Sequence, residues 1–119
     1  MSSPAPEPNH PRPETGRARL VLSTTADLEV AKRLARTLVE RRLIACANLV
    51  PAVTSIYRWQ GRIEEGNEVL MIAKTSVDRL EALEAAIHEL HPYDTPEFVV
   101  VEPAHVAPRY LAWLVEETH

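Results

Sequence analysis

Ile44-Ala45-Cys46-Ala47-Asn48-Leu49-Val50-Pro51-Ala52-Val53-Thr54-Ser55-Ile56-Tyr57-Arg58-Trp59 is the stretch that decides the fold. Its residues are mostly apolar, β-branched or aromatic, and no helical period runs through them, so it reads as one strand. At about 3.3 Å per residue it would span about 50 Å, far beyond an ordinary strand. Pro51 has no N–H for a ladder, so a bulge, a bend or an unpaired edge is expected there. Downstream, residues 60–67 are polar and carry Gly61 and Gly66, a connection suited to a hairpin. Val69-Leu70-Met71-Ile72-Ala73 is the expected return strand.

Upstream, Leu20-Val21-Leu22 is a short apolar strand, followed by an expected helix over residues 27–42. Leu28, Ala31, Ala35, Leu38 and Arg42 fall at helical spacing, and Thr25 or Asp27 can cap its start. After the hairpin, Ser76 can open a second helix striped by Val77, Leu80, Leu83, Ile87 and Leu90. Phe98-Val99-Val100-Val101 reads as a further strand. Pro108 can begin a last helix, with Tyr110, Leu111, Trp113, Leu114 and Val115 as its apolar residues. The order β-α-β-β-α-β plus a terminal helix is the ferredoxin-like split βαβ pattern, an α+β fold.

Such a sheet carries its two main helices on one face, and the other face should alternate with polar residues. These strands are apolar on both. One short C-terminal helix is too little cover, and the overlong strand offers an edge to a neighbour. A homo-oligomer is expected.

Composition narrows the function. Half of the ten prolines fall in residues 1–16, which lack apolar periodicity and read as a disordered tail. Residues 17–119 then form one domain with one core. The net charge is −4 with no basic patch, so nucleic acid is not an expected partner. Arg33, Arg36, Arg41 and Arg42 are interleaved with Glu29 and Glu40, as on a solvated helix face. No apolar run approaches the ~20 residues of a membrane helix. One cysteine, Cys46, rules out an internal disulfide and fits a reducing, cytoplasmic compartment.

His91-Pro92-Tyr93-Asp94-Thr95-Pro96-Glu97 holds an imidazole, a phenol and carboxylates in a loop stiffened by two prolines. It reads either as a site or as a plain helix stop. Cys46 reads as a small buried hydrophobe or as a soft metal ligand. His88 and His91 could share a helix face, but Pro92 ends that helix. His105 and His119 look like loop and tail residues. Tyr57, Trp59 and Tyr93 are candidates for an aromatic-lined pocket with Lys74, or for packing. No Ser-His-Asp ordering, phosphate-cradling glycine loop, CxxC or HExxH is present, so no enzyme is expected.

Ala45-Cys46-Ala47-Asn48 with Pro51, then Thr54-Ser55-Ile56-Tyr57-Arg58-Trp59-Gln60-Gly61-Arg62-Ile63, resembles the signature of the CutA family of divalent-cation tolerance proteins. Glu68 to Thr75, His91-Pro92-Tyr93 with Pro96-Glu97, and Tyr110-Leu111-Ala112-Trp113-Leu114 continue it. The resemblance implies a ferredoxin-like protomer in a homotrimer resembling the PII signalling proteins. It also implies a role in tolerance to copper and other divalent ions, with no obligatory cofactor. His91, then Cys46, then Glu97 are the implied ligands, and a neutral imidazole would bind copper(II) less well below about pH 6. Where some relatives carry cysteine, this chain has Ser23 and Ile87. The alternative is a PII-like module whose inter-subunit clefts, lined by Tyr57, Trp59, Tyr93 and Lys74, take a small anionic ligand.

Overall fold

A computed structural model describes residues 14–119, so most of the expected tail lies outside the described residues. In chain order the elements are β1 (Ala18–Thr25), α1 (Leu28–Glu40), β2 (Cys46–Trp59), β3 (Arg62–Ser76), α2 (Leu80–Leu90), β4 (Val99–Val101) and α3 (Pro108–Glu117). Short 3-10 turns cover Glu14–Arg17 and Val77–Arg79. The strands form one antiparallel sheet in the order β2-β3-β1-β4, the ferredoxin-like arrangement.

The long strand is real, and it sets the 52 Å longest dimension of the molecule. Its partner corrects one expectation. Residues 60–67 are not a polar connection: the turn is Gln60-Gly61 alone, and β3 runs unbroken for 15 residues from Arg62. Gln60 and Gly61 both have positive φ, 48° and 78°, as in the mirror-image type I′ turn that matches strand twist. Residues 62–68 pair with β2 in an arm that has no helix beneath it, so polar side chains suit either face.

The bulge at Pro51 is present. Val50 pairs with Leu70 and Val53 with Glu68, so Pro51 and Ala52 together stand opposite the single Val69, one residue in excess on β2. Ala52 takes φ 60°, the left-handed region that a Cβ disfavours. Paired residues share a face, so the bulge switches which residues of β2 look outward. Before it these are Cys46, Asn48 and Val50. After it they are Val53, Ser55, Tyr57 and Trp59.

Helix α1 starts where Asp27 Oδ1 accepts the Val30 N–H at 2.9 Å. Its buried stripe is Ala31, Leu34, Ala35 and Leu38. Arg42 does not belong to it. Arg42 sits beyond the helix at φ 58°, and Leu43 N–H closes onto Leu38 O at 3.0 Å, a Schellman ending that needs a left-handed residue there. Helices α1 and α2 cover one face of the sheet, where Val21, Met71 and Ala73 meet Leu34, Leu38, Leu83 and Ile87 in the main core.

Helix α3 covers only one end of the other face, packing Leu111 and Leu114 on Ala18 and Ala45. A polar clasp holds it. Ser76 and Thr118 hydroxyls meet at 2.6 Å, Arg79 Nε donates to Thr118 O at 2.6 Å, and His119 Nε2 meets Asp78 Oδ2 at 2.5 Å. The rest of that face carries Leu20, Leu22, Leu70 and Ile72, only partly buried, with Val99 and Val101 exposed beside them. Nothing in the described residues roofs it, as the two-sided apolar strands predict.

Candidate functional site

The proline loop leaves the end of α2 at His91, which caps the helix with its N–H on Ile87 O at 2.8 Å. Its extended backbone, φ −77° and ψ 136°, is what a following proline demands. His91 is buried, only 6% exposed. Its Nδ1 accepts the Tyr93 N–H at 3.0 Å, so in the neutral ring Nε2 carries the hydrogen and donates it to Thr24 O at 2.7 Å. The imidazole thus staples the loop to β1, and neither nitrogen keeps a free lone pair for a metal. His91 is a structural residue in this fold.

Tyr93 ties the same loop to β3, its hydroxyl donating to Glu68 Oε2 at 2.9 Å. Burial first, and the Glu68 carboxylate second, push its phenol up to about 12. Tyr93 therefore stays a neutral donor at any physiological pH. Pinned at two points, the loop faces the β2–β3 arm across a cleft of about 780 Å³. Tyr57 and Trp59 line the arm side, Tyr93 and Thr24 the base, and Glu68, Asp94 and Glu97 supply carboxylates. No Lys, Arg or His lines it.

The structure thus brings Tyr57, Trp59 and Tyr93 together, as expected, but Lys74 is elsewhere. Its Nζ donates to Asn48 Oδ1 at 2.8 Å on the back of the sheet and lies 5.8 Å from the Tyr110 ring centroid. Cys46 is beside it, half-buried, with Sγ 3.9 Å from Tyr110 Oη. Cys46, His91 and Glu97 do not converge. Among the described residues no group of three or more His, Cys, Asp or Glu side chains could hold a metal ion. Among the described residues of one chain a copper ion therefore finds no such donor set.

Three residues were not singled out from sequence. Glu68 lines the cleft because its register opposite Val53 puts it on the arm's outward face. Tyr110 touches Cys46 only through the packing of α3, for which no local signal exists. His119, expected in a loose tail, is locked in the clasp with Asp78.

Residues 19–117 match the family model for CutA1 divalent ion tolerance protein. The chain is 46% identical over 99 residues to the divalent-cation tolerance protein CutA of Thermus thermophilus, covering 83% of this chain and 96% of that protein. It is also similar to the solved Cut A1 structure from Thermus thermophilus, with a TM-score of 0.83 at 44% identity over 86% of this chain and 99% of that one. A periplasmic divalent cation tolerance protein CutA from Archaeoglobus fulgidus matches with a TM-score of 0.83 at 29% identity, over 86% of this chain and 99% of that one. No helix among the described residues is long and apolar enough to cross a membrane.

Proposed function

The chain belongs to the CutA1 family of divalent ion tolerance proteins, and from that premise we propose that it acts as a non-catalytic homotrimer in metal homeostasis. Copper(II) or a similar ion is held between subunits, not within one. The lone thiol points to the cytoplasm, though the Archaeoglobus relative is described as periplasmic.

The observation that carries this reading is the uncovered back of the sheet. Leu20, Leu22, Leu70 and Ile72 form a partly wet apolar surface continuous with exposed Val99 and Val101. Burying it against a sister subunit is worth about 25 cal/mol per Å² of apolar area. Stable interfaces remove roughly 1,200–2,000 Å² from water. Cys46 belongs to that same face by its register opposite Lys74. Association would gather thiols from several copies, which supports a copper site completed only by the assembly. Thiolate sulfur and carboxylate oxygen are both donors that copper accepts.

Ile72→Asp tests the reading. A carboxylate there should split the assembly to monomers, read by light scattering, and reduce copper binding in calorimetry to background. His91→Ala should leave copper affinity unchanged. The proposal fails if the natural chain is already a monodisperse monomer. It also fails if the Ile72→Asp monomer binds copper as tightly as the parent.

A further inference from the structure

The β2–β3 arm holds its pairing at the cost of strain in two places. We propose that the arm is a two-register element coupled to assembly. A sister subunit against Tyr57 and Trp59 holds the register seen here. In a free protomer the arm also visits a bulge-free register, shifted by one residue on β2. The coupling rests on the homotrimer proposed above, and the second register does not.

Strain comes first. Ala52 at the bulge and Gln60 in the turn take φ 60° and 48°, left-handed conformations that a Cβ disfavours. A type I′ turn asks for Asn or Asp before its glycine, and this chain offers glutamine. One shift relieves both. With Pro51 alone opposite Val69 and every later residue of β2 moved up by one, Ala52 enters the ladder as ordinary strand. The hairpin then closes through Trp59, Gln60 and Gly61, a three-residue turn whose left-handed position falls on the glycine. Pro51 suits that ladder, because β2 is the outer strand of the sheet and a missing N–H there can face outward.

Burial does not oppose the shift. Strands are held in register by the side chains they bury, and strands polar on both faces are prone to slip. None of residues 51–60 or 62–68 is buried. Pairing is closely balanced too. In the register seen here Arg58 is opposite Ile63 and Trp59 opposite Arg62. The shifted register sets Tyr57 against Ile63, a favourable aromatic and β-branched pair, and Arg58 against Arg62, an unfavourable like-charge pair.

What the two registers do not share is the face they show. A one-residue shift turns every side chain over. Here Ser55, Tyr57 and Trp59 lie on the same face as Leu20, Leu22, Leu70 and Ile72, and both rings are about half exposed. The shifted arm puts Thr54, Ile56 and Arg58 there instead. Interface cores favour Tyr and Trp. A partner that packs on those rings binds one register better than the other, which is what selecting a state requires.

The test reads the backbone neighbours of Ile63 by nuclear Overhauser effects in the full chain. Ile63 faces Arg58 in the register seen here, and Tyr57 in the shifted one. The natural assembly should show the Arg58 contact alone. In the Ile72→Asp monomer, relaxation dispersion should reveal a second state populated to about 1–10%. Arg58→Glu removes the like-charge pair and should raise that population about twofold to fivefold, bringing the Tyr57 contact into view. Ala52→Gly relieves the bulge and should lower it about fivefold or more. One register alone in the monomer, unmoved by Arg58→Glu, overturns the proposal. So does a second register equally populated in the assembly. Light scattering reports assembly separately: a monomeric natural chain sinks the homotrimer and the coupling with it, whereas a single register in the monomeric variant sinks only the switch. Should Ile72→Asp not fold, Ala52→Val and Ala52→Gly are compared in the otherwise natural chain. A β-branched residue tolerates positive φ least, so valine should hasten subunit dissociation on dilution and glycine should not. Equal dissociation of the two variants overturns the proposal.

Discussion

Strand β3 is two strands in one. From Val69 to Ser76 it lies over helices, and Val69, Met71, Ala73 and Thr75 are buried at every second position. Over residues 62–68 the same strand pairs with β2 just as regularly, yet none of its side chains is buried. The first half is held by packing. The second is held by a ladder and a type I′ turn, and a lone two-stranded ribbon is marginal in water. Its exposed Ile56 and Ile63, at 67% and 64%, do no work within one chain. The two halves teach that pairing fixes the shape of the arm, while its stability must come from whatever else touches it.

The largest expected effect tests the packed half. Met71→Ala opens a cavity at a fully buried position and should cost about 2–5 kcal/mol in urea denaturation. Ile63→Ala on the arm should cost under about 0.5 kcal/mol, as surface changes usually do, when measured in the Ile72→Asp background. An equal cost at the two sites in that background would erase the distinction between the halves. A much larger cost for Ile63→Ala in the unmodified assembly would sharpen it, because a sister subunit would then be covering the arm.

Next comes the loop that faces the arm. His91→Ala leaves Thr24 O and Tyr93 N–H without partners in a buried place, and should cost about 1–3 kcal/mol. Thermal melts would read this, together with faster proteolysis of the loop. An unchanged melt would mean that Pro92 and Pro96 hold the loop unaided, and the staple would lose its meaning.

What could be read from sequence follows the same division. Elements whose apolar residues repeat over a helix-backed face, β1, the second half of β3, α1 and α2, were visible because burial imposes a period. Pro51 announced the bulge through its missing donor. Within the expected connection 60–67, residues 62–67 read as loop because Glu64, Glu65 and Asn67 carry no apolar alternation, and a strand solvated on both faces needs none. Arg42 was placed in the helix because its spacing fits. The left-handed turn that excludes it is specified by Leu43 closing onto Leu38, a contact that spacing does not encode. At the cleft, Tyr57, Trp59 and Tyr93 could be grouped from their chemistry, while Lys74 could not be excluded. It shares a sheet face with Glu68, and only its place six residues further along β3 keeps it out of the cleft. His91 is the sharpest case. An imidazole in a stiff loop has the composition of a ligand, and only the positions of Thr24 O and Tyr93 N–H show that both nitrogens are already engaged.

The smallest effect concerns the opposite end of the sheet, where α3 is clasped rather than free. His119 Nδ1 lies 2.7 Å from Val115 O and its Nε2 meets Asp78, so both nitrogens face acceptors and the charged ring is favoured. The hydrogen bond to Asp78 raises the His119 pKa above its ordinary value, and Arg79 opposes this weakly. The same bond lowers that of Asp78, which also has Arg17 at 4.0 Å. A raised histidine stabilises the fold below its unfolded value of about 6.5 and ceases to as pH climbs through the folded value. A lowered aspartate stabilises above about 3.9 and ceases to as pH falls through its folded value. The clasp is therefore strongest between about pH 4 and 6.5 and fades in alkali. Both partners are well exposed to solvent, so the pair is worth under about 1 kcal/mol, a few degrees of melting temperature. His119→Ala should lower the melting temperature at pH 5.5 and leave it nearly unchanged at pH 9. An equal loss at both would show that the charge on His119 contributes nothing. No loss at either pH would show that α3 is held by Thr118 and Leu114 alone. That end of the sheet would then depend on packing as fully as the helix-covered half of β3 does.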